Sequence, residues 1–263
     1  MKTILLQPLD LSIAASLVIV DIGLSIALRL RLHRQIALAA ARMVVQLVMI
    51  GYVLKFVFAL DSPIATAVIV MLMVLVAARE VAARPDRSLI HGQNYLIGLV
   101  SVAGAATLAS VFALITAIRP DPWFDPHYAI PLVGIILGSV LNAGSIALDG
   151  VLGGMEAAQP GIEARLMLGH SYWAAMASLI RGSIRRGMLP IINQMSAAGI
   201  ITLPGIMTGQ ILAGLDPIEA VKYQILLMFL LSGASGLVAV AVAYAAAWRL
   251  TDHRQRLRLD HLR

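Results

Sequence analysis

Seven long runs of predominantly apolar residues, Leu11–Leu28, Ile36–Leu60, Pro63–Ala78, Tyr95–Ile118, Tyr128–Leu148, Met188–Leu215 and Tyr223–Trp248, occupy most of this 263-residue chain. A helix rises about 1.5 Å per residue and a bilayer's hydrocarbon core is about 30 Å thick, so about 20 apolar residues suffice to cross it. The expected fold is therefore all-α: a polytopic membrane protein of about seven transmembrane helices, forming one transmembrane domain over residues 1–263. With 60% apolar and only 13% charged residues and a mean hydropathy of +0.88, an ordinary water-soluble enzyme and a disordered chain are both excluded. The absence of cysteine removes disulfides, iron–sulfur clusters, thiolate zinc sites and cysteine nucleophiles.

The formal charge of +6 rests on arginine, with lysine only at Lys2, Lys55 and Lys222. If alternate loops face the cytoplasm, one side holds Arg29, Arg31, Arg34, Arg42, Arg79, Arg84, Arg87, Arg165, Arg181, Arg185, Arg186, Arg249, Arg254, Arg256, Arg258 and Arg263. The other side holds Lys2, Lys55, Arg119 and Lys222. This asymmetry follows the positive-inside rule, places the N-terminus outside and the C-terminus inside, and accounts for the basic charge without nucleic acid. The first run is expected to be an uncleaved anchor, because its arginines follow the apolar stretch and no small-residue cleavage site comes after it.

One connection is long. Between the fifth and sixth runs lie residues 149–187, assigned to the cytoplasm, where Ile162, Leu166, Trp173, Met176, Leu179, Ile180 and Ile184 recur at roughly helical spacing with arginines between them. This spacing predicts an amphipathic helix, either lying in the headgroup layer or docking on a partner. Within it, Glu163-Ala164 followed by Gly169 reproduces the order of the coupling loop through which ABC-transporter permeases dock on their ATPase, with Leu189-Pro190 downstream. The permeases usually have a second alanine where this chain has Arg165.

The stretch from Gly199 to Gln224, GIITLPGIMTGQILAGLDPIEAVKYQ, closely resembles the signature of the FetB-type ABC-transporter permeases, an iron-export family with plant aluminium-tolerance relatives. Arg42–Lys55, Ile130–Gly134, Leu168-Gly169 and Ile180-Arg181 agree with it, so the resemblance extends over most of the chain. Two positions depart from the family pattern: Ser139 stands where asparagine is expected, with Asn142 one turn on, and Ile191 stands where threonine usually follows leucine–proline. The resemblance implies a permease of the bacterial inner membrane that pairs with itself as a homodimer and with two copies of a cytoplasmic ABC ATPase. ATP and magnesium would be held by that ATPase, with no cofactor in this chain and no nucleic-acid partner. A Walker A loop places lysine after glycine, and none of the three lysines here does so.

On this reading Glu163, Ala164, Gly169 and Arg181 are the candidates for ATPase coupling. Ser139, Asn142, Asn193, Gln194, Pro204, Gly205 and Gln210 are the candidates for the pathway or its gate, although Pro204 with its surrounding glycines also suits a hinge or close packing between helices. Asp21 is the one acidic residue placed well inside a run. The 12 methionines suit filling of apolar interiors better than metal binding, and the six histidines show no paired metal-binding spacing. Asp61, Asp121, Asp125, His127 and Asp216 on outer loops offer hard-cation ligands for a release site, and metal ligands are otherwise unassigned. The arginine-rich tail, residues 249–263, is expected to anchor on anionic headgroups. An ABC permease for an organic solute such as a nucleotide sugar, and a stand-alone channel or membrane enzyme, remain alternative readings.

Overall fold

The computed structural model describes residues 7–60, 62–122, 125–252 and 254–262. Expectations that touch Lys2, Asp61, His253 and Arg263 lie outside the described residues. The described residues form α1 (Pro8–Ala27), α2 (His33–Leu60), α3 (Pro63–Ala83), α4 (Gln93–Ala113), α5 (Pro126–Leu152), α6 (Met155–Met167), α7 (Tyr172–Ala197), α8 (Gly205–Leu212) and α9 (Pro217–Arg249), with no strand beyond isolated bridges. Helix starts are marked in the sequence: Pro8, Pro63, Pro126 and Pro217 each occupy the first turn, where a missing N–H costs nothing. Asp125 and Asp216 accept from the backbone N–H groups of His127 and Ile218 and so cap α5 and α9.

Six of these helices are long and apolar enough to cross a membrane: α1, α2, α3, α4 with the turn that extends it, α5 and α9. The run Met188–Leu215, in which the sequence places interruptions at Pro190 and Pro204, is interrupted before Pro204 and not at Pro190. It is not one helix: its first part belongs to α7, the backbone breaks over Ala198–Pro204 with Gly199 at φ +87°, and the short α8 follows. Pro190 does not break the chain and sits inside α7. The amphipathic stretch is likewise two helices, α6 and α7, and α7 passes from it without interruption into the apolar run.

The chain divides into two units, residues 1–61 and residues 62–263. In the first, α1 packs on α2, and Leu30 N–H donates to Ser25 O and Leu32 N–H to Ser25 Oγ at the turn between them. Asp21 faces outward from α1. In the second, α5 is the central helix and packs on α3, α4, α7 and α9. The buried surface is rich in small residues, among them Ala78, Ala106, Ala143, Ala147, Ala234, Ala243, Ala246 and Ala247, as expected where van der Waals contact rather than hydrophobic exclusion joins helices.

The end of the chain is not a free basic tail. After α9 it folds back: Arg258 N–H donates to Leu250 O, Leu262 bridges to Leu89 just before α4, and Leu257, Leu259 and Leu262 pack against the core. Three leucines among the arginines explain this docking. Arg256 and Arg258 pair with Asp252 and Asp260 at 2.7 Å, so part of the positive charge is matched locally.

Candidate functional site

Two features of the second unit are built from the residues singled out in the sequence, and a single helix joins them. The first is the elbow between α6 and α7. Met155 and Ile162 are buried and Leu166 packs against the core, fixing one face of α6. Arg87 pairs with Glu156 at 2.7 Å, and Gln159 Nε2 donates to Glu163 Oε1 at 2.8 Å. At its far end Met167 and Leu168 are 83% and 79% exposed, and Gly169, at φ +85°, turns the chain toward α7. Glu163, Ala164, Gly169 and Arg181 are all exposed. The elbow is thus a projecting apolar tip with polar and charged neighbours, separated from α7 by a crevice of about 360 Å³ lined by Gly161, Arg165, Ala175 and Arg186 among others.

α7 starts at this elbow and is clamped to the body. Ser171 caps it, accepting from Ala174 N–H, and the Tyr172 hydroxyl donates to Ala247 O at 2.7 Å in the last turn of α9. Burial pushes that hydroxyl well above the usual tyrosine range and keeps it a donor. Tyr172, Met176, Ile180, Ser183, Gly187 and Ile191 form the buried stripe, at spacings of three and four. The approach to α5 is close: a Cβ on Gly187 would lie 2.7 Å from Ala143 O, and one on Gly150 2.9 Å from Ser183 Oγ. Arg186 Nη2 donates to Gly150 O at 3.0 Å across the same contact.

Further along α7 is the second feature, a cavity of about 200 Å³ among α5, α7 and α9. Ser139 and Asn142 reach it from α5, Pro190, Ile191 and Gln194 from α7, and Leu231 and Ser235 from α9. Ser139 lies at the middle of α5, where its Oγ is 2.8 Å from Ser235 Oγ. From the end of α3, Arg84 Nη1 donates to Asn142 Oδ1 at 3.2 Å. Hydroxyls and amides therefore meet halfway along two spanning helices, with one guanidinium bonded to Asn142.

The structure brings Ser139, Asn142 and Gln194 together and leaves other candidates elsewhere. Asn193 is exposed on α7, about 100° around the helix from Gln194, and does not line the cavity. Pro204 caps α8, and Gly205 and Gln210 lie on that helix, which packs on α9. The Gln210 Oε1 is buried with no hydrogen-bond partner. Asp125 and Asp216 act as helix caps, and His127 Nδ1 lies 3.0 Å from Asp125 Oδ1. Among the described residues no three acidic, histidine or cysteine side chains cluster as metal ligands would. Two further residues belong to this arrangement: Ser235, which lines the cavity from the small-residue stretch Ser232–Gly236, and Arg84, which does not line it but holds Asn142 and reads in the sequence only as a marker of topology.

Several known proteins match this sequence over most of its length. The chain is 37% identical over 229 residues, 87% of both chains, to "UPF0014 membrane protein slr1647" of Synechocystis. It is 30% identical to the "Probable iron export permease protein FetB" of Escherichia coli over 255 residues, 97% of this chain and 96% of that one. It is 31% identical to the rice "UPF0014 membrane protein STAR2" over 231 residues, 88% of this chain and 79% of that one. No solved structure matches. Residues 8–250 match the family described as "Uncharacterised protein family (UPF0014)", and the chain belongs to this family of membrane proteins.

Proposed function

We propose that this chain is the permease subunit of an ABC-type exporter, working as a homodimer in a bacterial plasma membrane with its N-terminus outside and its elbow and C-terminus in the cytoplasm. A separate ATPase binds ATP and magnesium. One observation supports the reading: the helix that begins at the exposed elbow is the helix that lines the polar cavity, so α7 links the elbow directly to polar residues at the middle of α5 and α9. When the ATPase closes around ATP, it pushes on Met167–Gly169. The crevice beneath α6 gives room for this movement, and the close Gly187 contact passes it to α5. The cavity then opens alternately to the two sides.

Iron or a related metal species is the proposed cargo, supported by the likeness to the Escherichia coli relative. A second cargo class, an organic solute such as a nucleotide sugar, is favoured by the neutral hydroxyls and amides of the lining and by Arg84 bonded to Asn142. Substitution Gly169→Trp tests the elbow, since nothing within 4 Å obstructs a side chain there. It should abolish stimulation of the partner's ATPase, whereas Gly169→Ala, which carries the backbone strain without the bulk, should retain much of it. Unchanged stimulation by Gly169→Trp would refute the elbow's role. Efflux from vesicles holding the reconstituted pair, with iron or an organic solute supplied, separates the cargoes. No ATP-dependent movement of iron would remove the metal assignment.

A further inference from the structure

The backbone N–H groups of a helix's first turn have no partner within the helix and leave that turn prone to fraying. At the start of α7 the Ser171 hydroxyl accepts only the Ala174 N–H, at 3.4 Å. The Tyr172 N–H instead donates to Gln255 Oε1 at 3.0 Å, from a residue 83 positions away in the strap that follows α9. The same tyrosine's hydroxyl holds Ala247 O, so α7's first residue is tied twice to the region where α9 ends.

The strap is shaped to present Gln255. Its φ of +55° lies in the left-handed region, which a residue bearing Cβ adopts only when its surroundings enforce it. Asp252 supplies the enforcement: its Oδ1 accepts from the N–H groups of Arg254 and Arg256, which flank Gln255, and its Oδ2 accepts from the Arg256 side chain. Leu257, Leu259 and Leu262 seat the strap, the Leu262–Leu89 bridge fastens its far end, and His261 Nδ1 lies 2.9 Å from Arg249 O.

We propose that Gln255 is a positioning residue for energy coupling: by holding the first amide of α7 it makes the elbow, α7 and the end of α9 move as one body. A push at Met167–Gly169 then reaches the cavity along α7 instead of being lost as melting of the first turn. This inference rests on the ABC reading given above.

The test uses the full chain reconstituted with its ABC ATPase in lipid vesicles, measuring ATP hydrolysis with and without the chain. Gln255→Met keeps the length and removes the acceptor; Gln255→Glu keeps an acceptor. Gln255→Met should lower the stimulated rate severalfold while lowering the thermal midpoint no more than loss of one hydrogen bond explains, and Gln255→Glu should restore the rate. In the unmodified chain, hydrogen exchange at the Tyr172 amide should be slower than at the exposed turn Leu168–His170. Stimulation by Gln255→Met equal to that of the unmodified chain overturns the proposal. So does failure of Gln255→Glu to restore the rate, a collapsed thermal midpoint in Gln255→Met, or fast exchange at Tyr172. Absence of stimulation by the unmodified chain is a different result, which overturns the ABC reading and this inference with it.

Discussion

The two halves of α7 and its continuation differ in how they are held. From Tyr172 to Gly187 the helix is clamped by a buried stripe, two tyrosine hydrogen bonds and glycine contacts closer than any side chain would allow. From Ile192 onward it is loosely held: Ile192, Asn193, Gln194, Met195 and Ser196 are exposed, the helix ends at Ala197, and Ile200 and Ile201 project from the turn beyond. The contrast teaches where force is transmitted and where it is released. A lever needs a rigid arm at its input and a compliant joint at its output, and a single helix followed by a broken segment supplies both.

The contrast is most severely tested by filling the tight contact. Gly187→Leu places a side chain against the Ala143 carbonyl and the Ala147 methyl. It should cost about 3 kcal/mol or more, seen as a lowered thermal midpoint in detergent or a failure to accumulate. Tyr172→Phe removes one neutral hydrogen bond while keeping the ring. Its expected cost is about 1 kcal/mol, measured in the same melt. The compliant side should respond with the opposite sign: Gly209→Ala, in the middle of α8 with open space around it, should be neutral or stabilising by up to about 1 kcal/mol. A large loss there would mean that α8 is packed as tightly as α7 and would erase the distinction.

The smallest effect concerns the strap. The backbone N–H of Arg256 in the first place, aided by that residue's side chain and by the Arg254 N–H, holds the Asp252 carboxyl down to about 2. Because the folded value is depressed, the contribution is complete above the ordinary carboxylate range of about 4 and is lost as pH falls from there through about 2. Hydrogen exchange at the Arg258 amide, which donates to Leu250 O, should therefore accelerate, relative to its intrinsic rate, over that window and stay constant between pH 5 and 8.

Much of this is legible from the sequence because bilayer thickness fixes how long an apolar run must be, and six of the seven runs fall in helices long and apolar enough to cross a membrane. Polar residues in such runs stand out for the same reason, and Ser139, Asn142 and Gln194 do meet at one cavity. What periodicity cannot show is where a helix pauses. Pro190 is the residue that should interrupt α7 and does not, whereas the interruption occurs at Ala198–Pro204, where Gly199 takes a left-handed turn. Nor does an arginine-rich ending reveal its fold. Three leucines spaced through Leu257–Leu262 dock it, and a glutamine with no apparent motif makes the long-range bond.

The broken segment after α7 satisfies itself. Gly199 N–H donates to Thr202 O, and the N–H groups of Ile201 and Thr202 both reach Ala197 O. A joint wired internally in this way can exchange its surroundings, trading protein for lipid or water, without stranding those three amides. Its outward-facing isoleucines can therefore change partners while the peptide between α7 and α8 keeps its shape.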